Sequence, residues 1–287
     1  MYYIIDYIID YIRNILGCCI CILNNLYINI FLILKYNNFI FNNQIFNSLE
    51  INNNEEKVFL EGKIVDYNIH YGFDMYGSYK ILDLLNFLKK EKAQIYVLQE
   101  FVNKTLPNGN DILYYFKKYL NLKYHFKYTI TEILGIEYCN IILSKKPIIE
   151  NKILYFTPKK FRLKNNGISV KVNIFDKEVW ISNVHFNSDI TGYQQVYQSK
   201  ELEKYIINIG DSHIFLGDFN SPNNYKSTKY LKEKFKCIDG IYNTYPSIYP
   251  IVKLDYCYVY KYNKEINLGI RKIKYSDHYP LILQIEN

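Results

Sequence analysis

With 287 residues, 49% of them hydrophobic, the chain has room for one large domain or two small ones and enough apolar mass for a buried core. Six cysteines in a chain of this length exclude a disulfide framework, and the 32 tyrosines follow a biased usage shared with Ile, Asn and Lys. The net charge of +7 is uneven: residues 1–57 hold three basic and five acidic residues, leaving a basic body suited to phosphate-bearing or polyanionic substrates.

From the N-terminus, the 21 residues between Arg13 and Lys35 carry no charge, close to the ~20 residues of a spanning helix. Asn24, Asn25 and Asn29 interrupt the run, and each amide is costly in hydrocarbon. A membrane anchor and an amphipathic, partly buried helix therefore both stay open. Asp6 and Asp10 precede the run where a secretory signal would be basic. Cys18, Cys19 and Cys21 have no matching His or second Cys pair for zinc. Residues 37–57 are Asn-rich and then acidic, as a linker is. The organisation expected is an apolar segment over 1–36, a linker over 37–57 and one domain over 58–287.

Within that domain, FLEGKIVDYNIH predicts a strand with Asn68 and His70 at its end. Residues 79–92 place Ile81, Leu82, Leu85 and Leu88 on one helical face. QIYVLQEF predicts a strand ending on Glu100, and DILYYFKKYL a second helix. Strands follow at 124–130, 138–144, 168–174 and 178–185. A helix near 192–209 leads into HIFLGDFN, another over 226–235 follows it, and strands at 254–260 and 279–285 close the chain. Strands outnumber helices without strict βαβ alternation, which predicts two packed sheets with outer helices.

Three acid-bearing segments each leave a short apolar run: FLGDFN at 215–220, KLDYCYV at 253–259 and SDHYP at 276–280. Asp218, Asn220, Asp255, Asp277 and His278 thus fall at strand ends, where side chains converge on one divalent metal and one phosphate. Cleaving a phosphoester at neutral pH needs a metal to polarise a phosphoryl oxygen, a base for the attacking water and donors for the developing charge. Mg²⁺ prefers oxygen ligands and keeps several waters, so Glu100 and Asp277 suit it. Asp218 and Asn220 alternate, which predicts both side chains on one side of a strand end. One would act on water while the other donates to the phosphate. His278 is expected to meet Asp255 on the neighbouring strand, a pairing that fixes the tautomer and supports the protonated ring. His185, ending WISNVHF, is a second donor. Singly, each reads equally as a loop acid, a turn residue or a structural histidine; the ordered set is the signal.

Eight segments in this order resemble the endonuclease/exonuclease/phosphatase superfamily, the DNase I-like fold. They are YNIH at 67–70, VLQE at 97–100, EYCNIILSKKPI at 137–148, SNVHF at 182–186, GDFNSP at 217–222, TYPS at 244–247, LDY at 254–256 and SDHYP at 276–280. The resemblance covers about residues 62–287. It implies an α/β (α+β) four-layer sandwich of two mixed β-sheets flanked by helices, with a metal site at one sheet edge. It implies Asn68, Glu100 and Asp277 at a Mg²⁺ ion, with Mn²⁺ the other candidate. His185 and His278 would contact the phosphate, Asp255 would orient His278, and Asp218 would activate or orient the nucleophile with Asn220 beside it. Glu137 stands where some members have an acid partnering the first histidine.

Departures bear on substrate. Glu100 is followed by Phe101 and Val102 where the AP-endonuclease branch has Thr and Lys, and His70 stands where that branch has Asp. The inositol 5-phosphatase Trp before GD, and its Arg within the LDY-like segment, are both missing. NIHYGFDMYG, GDFNSP and TYPS look like the branch holding sphingomyelinase-like and lipid-anchor-remodelling hydrolases, while GDFNSP also resembles deadenylase-type nucleases. The expected function is therefore Mg²⁺-dependent phosphoester hydrolysis by metal-assisted water attack, on a lipid or membrane-associated substrate. A nuclease of the same superfamily is the alternative, and a catalytically silent binding module a further one. Membrane association through residues 13–35 and a monomer without a specific protein partner complete the expectation. The basic run PKKFRLK at 158–164 reads as a solvated hairpin, or as a contact to a nucleic-acid backbone or anionic lipid.

Overall fold

The structure, a computed structural model, describes residues 59–106, 109–156, 166–189 and 191–287. The apolar run over 13–35, its cysteines, the linker and the basic run at 158–164 lie outside the described residues. In chain order the elements are β1 (Leu60–Asn68), α1 (Ile81–Glu91), β2 (Ala93–Lys104), α2 (Ile112–Leu120), β3 (Tyr124–Ile133), β4 (Ile136–Ser144), β5 (Glu150–Tyr155), β6 (Asn166–Ile174) and β7 (Lys177–His185). Then come α3 (Tyr193–Ile209), β8 (His213–Asp218), α4 (Lys226–Lys234), β9 (Lys236–Ile238), β10 (Asp255–Tyr260), β11 (Ile266–Ile270) and β12 (Leu281–Ile285). They form two mixed six-stranded sheets, ordered β11-β12-β1-β2-β4-β3 and β5-β6-β7-β8-β10-β9. Among the described residues no helix is long and apolar enough to cross a membrane.

Strand periodicity builds the layers. Successive strand side chains point to opposite faces, and here both faces are apolar. Ile64, Ile95, Val97, Ile142, Ile181, Ile214, Leu216 and Leu283 meet between the sheets. The residues interleaved with them point outward. Val65, Tyr96, Leu98 and Ile141 pack under α1 and α2 with Leu84, Leu88 and Phe116. Val184, Phe215, Tyr256 and Tyr258 pack under α3 and α4 with Leu202, Ile206 and Leu231. The result is the four-layer sandwich. Helix ends follow local chemistry: the Asp111 carboxylate accepts the Tyr114 amide at 2.6 Å to start α2, and Asn121 in left-handed conformation ends it.

Three strands were not expected, and all are edges. β5, β9 and β11 pair on one side only and are largely exposed or half-buried, so they carry little apolar signal. β12 begins two residues later than expected, at Leu281, which leaves Asp277 and His278 in the loop before it.

Candidate active site

The inter-sheet face changes character along each strand. On β1 the inward positions read Ile64, Asp66, Asn68; on β2 Ile95, Val97, Gln99; on β7 Ile181, Asn183, His185; on β8 Ile214, Leu216, Asp218. A buried polar layer separates core from site. Gln99 Nε2 donates to Asp66 Oδ1 at 2.7 Å and Asn183 Oδ1 at 2.9 Å, and Asn183 Nδ2 donates to the Leu98 and Ile141 carbonyls of the other sheet. β1 and β2 run parallel, as do β7 and β8, so the carboxyl ends of both pairs open at one side. His185 is in register with Asp218, and Asp218 with Asp255, setting three functional side chains in one rank.

Two residues arrive by routes the alternation does not give. β2 does not end on Glu100; it continues to Lys104, with a register shift between Leu98 and Phe101 and Glu100 at φ 55°. That bulge turns Glu100 inward beside Gln99, and Phe101 returns to the outer face. Asn220 lies beyond the end of β8 in a left-handed turn, φ 46°. Its amide N–H and its Nδ2 donate to the two oxygens of Asp218, at 2.8 and 3.2 Å. Strand alternation is not what joins them. Gly217, just before, has φ 142°, and a Cβ there would fall 2.0 Å from the Val184 carbonyl oxygen, so only glycine lets β7 and β8 close at this point.

The remaining groups connect in a chain. Asn68 Oδ1 accepts the His70 amide at 3.1 Å, which turns Nδ2 toward Glu100 Oε1 at 3.3 Å and Asp218 Oδ2 at 3.1 Å. His185 Nε2 stands 3.8 Å from both carboxylates. His278 Nδ1 donates to Asp255 Oδ2 at 2.9 Å while its Nε2 lies 3.7 Å from Asp218. Ser276 Oγ donates to the Asn68 carbonyl at 2.7 Å and so ties the Asp277 loop to the end of β1.

Burial opposes charge on all of these groups, and neighbours decide the outcome. For His278 burial works against the proton, but Asp255, Asp218 and Asp277 outweigh it and hold the ring charged well above its usual range. For His185 burial wins over the pull of Asp218, and its pKa falls. Burial pushes Asp218 up to about 6, with His278 pulling down and Asp255 adding to the rise. Glu100 is raised by burial, against the pull of His70.

A model of the Endonuclease/Exonuclease/phosphatase family matches residues 67–278, from the residue before Asn68 to His278 itself. The chain belongs to that family. Solved structures superpose on it across the sandwich. A family protein from Leptotrichia buccalis is 18% identical with a TM-score of 0.62, covering 78% of this chain and 99% of that one. A mannosyl-6-phosphatase from Bacteroides thetaiotaomicron is 13% identical with a TM-score of 0.60, covering 78% and 99%. Truncated TDP2 from Caenorhabditis elegans is 15% identical with a TM-score of 0.62, covering 79% and 98%. At these identities the likeness shows the fold. No curated protein matches the chain.

Members of the endonuclease/exonuclease/phosphatase family typically depend on a divalent metal, and the donors here fit one. Among the described residues Glu100 Oε2 is buried without a hydrogen bond of ordinary length, with the Tyr71 side chain beside the carboxylate, and Asp277 stands close enough for its charge to raise Glu100. Both are hard oxygen donors. Asp218, Asp255 and His278 also bring one ligand atom each within 4.8 Å of one another. A charged imidazole has no lone pair to give, however, and His278 is held charged by those same carboxylates.

Glu137 is not brought to His185: its carboxylate takes Lys127, Asn103 and Thr129 instead, and His185 Nδ1 has no hydrogen-bond partner. Sequence reasoning missed Asp66, whose pKa burial and the nearby Asp255 push well above the usual carboxylate range, behind the site. It singled out the TYPS segment without giving Tyr245 a place at the site, where its ring lies 5.0 Å from that of His278. Asp66 was legible as the inward position two before Asn68; the approach of Tyr245 to His278 was not, because a loop delivers it.

Proposed function

We propose that the chain is a divalent-metal-dependent phosphoesterase in which water displaces the leaving oxygen from phosphorus in a single step. The observation that carries this reading is the connected set Asp255–His278–Asp218–Asn68–Glu100, with His185 facing both inner carboxylates. Glu100 and Asp277 would hold the metal with Asn68 beside them, and Mg²⁺ suits oxygen donors. Bound there, it would supply Lewis-acid polarisation of a phosphoryl oxygen. Asp218 takes the water proton as the new P–O bond forms; its raised pKa of about 6 makes it a stronger base that is still ionised at neutral pH. The charged Nε2–H of His278 neutralises developing negative charge on the phosphate, and His185 adds a second ring nitrogen. Asn220 holds the Asp218 carboxylate in place by two bonds.

The substrate we favour is a lipid or membrane-associated phosphoester. Tyr76 and Tyr249, each 77% exposed, together with Ile241 and Ile251, project from two loops beside the site. The first loop follows the His70 turn, and the second carries Tyr245 against His278. The uncharged run over 14–34 supports the same reading. Full-length protein and Asp218→Ala would be compared on sphingomyelin and phosphoinositide vesicles, plasmid DNA, abasic duplex and oligo(A) RNA with Mg²⁺. Cleavage of a vesicle phosphoester by wild type only is the expected result. Cleavage confined to nucleic acid would overturn the lipid assignment, and silence without Mg²⁺ binding would favour a non-catalytic module.

A further inference from the structure

We infer that Thr244 and Ser247 are positioning residues, whose separate hydroxyls fix the His278 arm and the Asp277 arm of the site; this rests on the metal-dependent reading above. Asp277 and His278 belong to no strand, since β12 begins at Leu281. No sheet ladder therefore sets their place, and a misplacement of about 1 Å at an active group can cost on the order of 10²-fold in rate. The segment that holds them is TYPS at 244–247, whose hydroxyls take no part in the chemistry proposed above.

The loop around TYPS is closed on itself. The Thr244 and Tyr245 amides donate to the Val252 carbonyl at 3.0 Å, and the Ile251 and Val252 amides donate back to the Tyr245 carbonyl at 3.0 Å. From this frame two hydroxyls reach the site's backbone. Thr244 Oγ1 accepts the Leu254 amide at 3.1 Å and the Asp255 amide at 3.3 Å, and the Thr244 carbonyl accepts the Tyr279 amide at 2.8 Å. One residue thus holds both members of the Asp255–His278 pair through their backbones. Ser247 Oγ donates to the Ser276 carbonyl at 2.6 Å, and its amide donates to the Asp277 carbonyl at 2.7 Å. The Ser276 hydroxyl carries that tie on to Asn68. Thr244, Ser247 and Ser276 are fully buried, so a group left unpaired there bears its desolvation cost. Tyr245, between the two hydroxyls, is the residue whose ring meets His278. Thr244 serves the phosphate side of the site and Ser247 the metal side.

The test is titration calorimetry of chelator-stripped full-length protein with Mg²⁺, and with inorganic phosphate at saturating Mg²⁺, beside urea unfolding and circular dichroism. Ser247→Ala should weaken Mg²⁺ by about threefold to tenfold and leave phosphate within about twofold. Thr244→Val should do the reverse, weakening phosphate by about threefold to tenfold with Mg²⁺ within about twofold. Thr244→Ser keeps the hydroxyl and should bind both probes as wild type does. Ser247→Ala, which deletes a single oxygen, decides the metal arm should Thr244→Val not fold. If the two deletions lower stability but bind both probes as wild type does, the hydroxyls only hold the fold and the inference is overturned. It is overturned equally if each deletion weakens both probes alike, or if Thr244→Ser loses as much as Thr244→Val. Glu100→Gln and His278→Gln separate this from the reading beneath it. If they bind Mg²⁺ and phosphate, respectively, as wild type does, that reading fails and the inference with it.

Discussion

β8 has His213 at one end and Asp218 at the other, and the two ends set buried histidines in opposite charge states. At the first end, His213 Nε2 meets Ser182 Oγ at 2.6 Å, Ser182 meets Ser169 at 2.5 Å, and the Trp180 ring stacks 6.2 Å away. Among the described residues no buried carboxylate faces it; burial pushes its pKa down to about 3 against the pull of the exposed Asp211. At the second end His278 is similarly buried but lies among Asp255, Asp218 and Asp277, and it stays charged. Burial alone therefore does not make a histidine functional. Burial fixes the penalty on charge, and the neighbouring carboxylates decide whether the proton is kept. A neutral His213 bonded to Ser182 is a structural group; a charged His278 aimed at Asp218 has, under the proposed function, the role of a donor for phosphate.

The strongest way to break this contrast is to neutralise the carboxylate partner. Asp255→Asn should lower turnover by about 10²–10⁴-fold. The alkaline limb of the kcat–pH profile should also move to lower pH, because an unsupported His278 loses its proton earlier. An unchanged profile would mean that Asp255 does not hold the ring's charge. Gly217→Ala tests the closure that sets Asp218 beside His185. A loss of about 3 kcal/mol or more in urea unfolding is expected from a Cβ 2.0 Å from a carbonyl at positive φ, and near-wild-type stability would contradict that.

His213 gives the opposite pH test. Its folded pKa is depressed, so its neutral form supports the fold fully above the unfolded value near 6.5 and that support is lost as pH falls toward about 3. Within that window its contribution should fall by up to about 1.4 kcal/mol per pH unit. Asp66, Glu100 and Asp218 have raised pKa values and act in the opposite sense, so the difference between wild type and His213→Gln is the informative quantity. Wild type should lose stability more steeply than the variant below pH 6.5; parallel curves would show that His213 is not held neutral. The smallest effect expected is that of Ser182→Ala, about 1 kcal/mol of stability with turnover unchanged. A fall in turnover would tie the far end of the strand to the chemistry.

Much of the site was legible. Asn68, His185, Asp218 and Asp255 lie where period-2 alternation places an inward side chain at a strand terminus, and the Asp255–His278 pair forms as expected. Glu100 was found as a residue, but its route was not, because a bulge leaves the apolar pattern of QIYVLQEF intact while reversing which side the next side chain faces. Asn220 was placed by alternation and is delivered by a turn. Glu137, the second residue of β4, pairs with Asn103 beyond the bulge at Glu100, and Lys127 on β3 claims its carboxylate.

What the amino-acid sequence determined by itself is the local pattern: which segments are strands, which faces are apolar, and which polar residues end those faces. Neighbours along one strand impose that pattern through steric alternation and hydrophobic burial. The edge strands β5, β9 and β11 were decided by pairing within each sheet, and the charge states and the meeting of Asn68 and Glu100 with His185 and Asp218 by stacking one sheet on the other. Those interactions join residues as much as 150 positions apart, and a buried proton responds to whatever charge lies within a few ångströms, wherever in the chain it comes from.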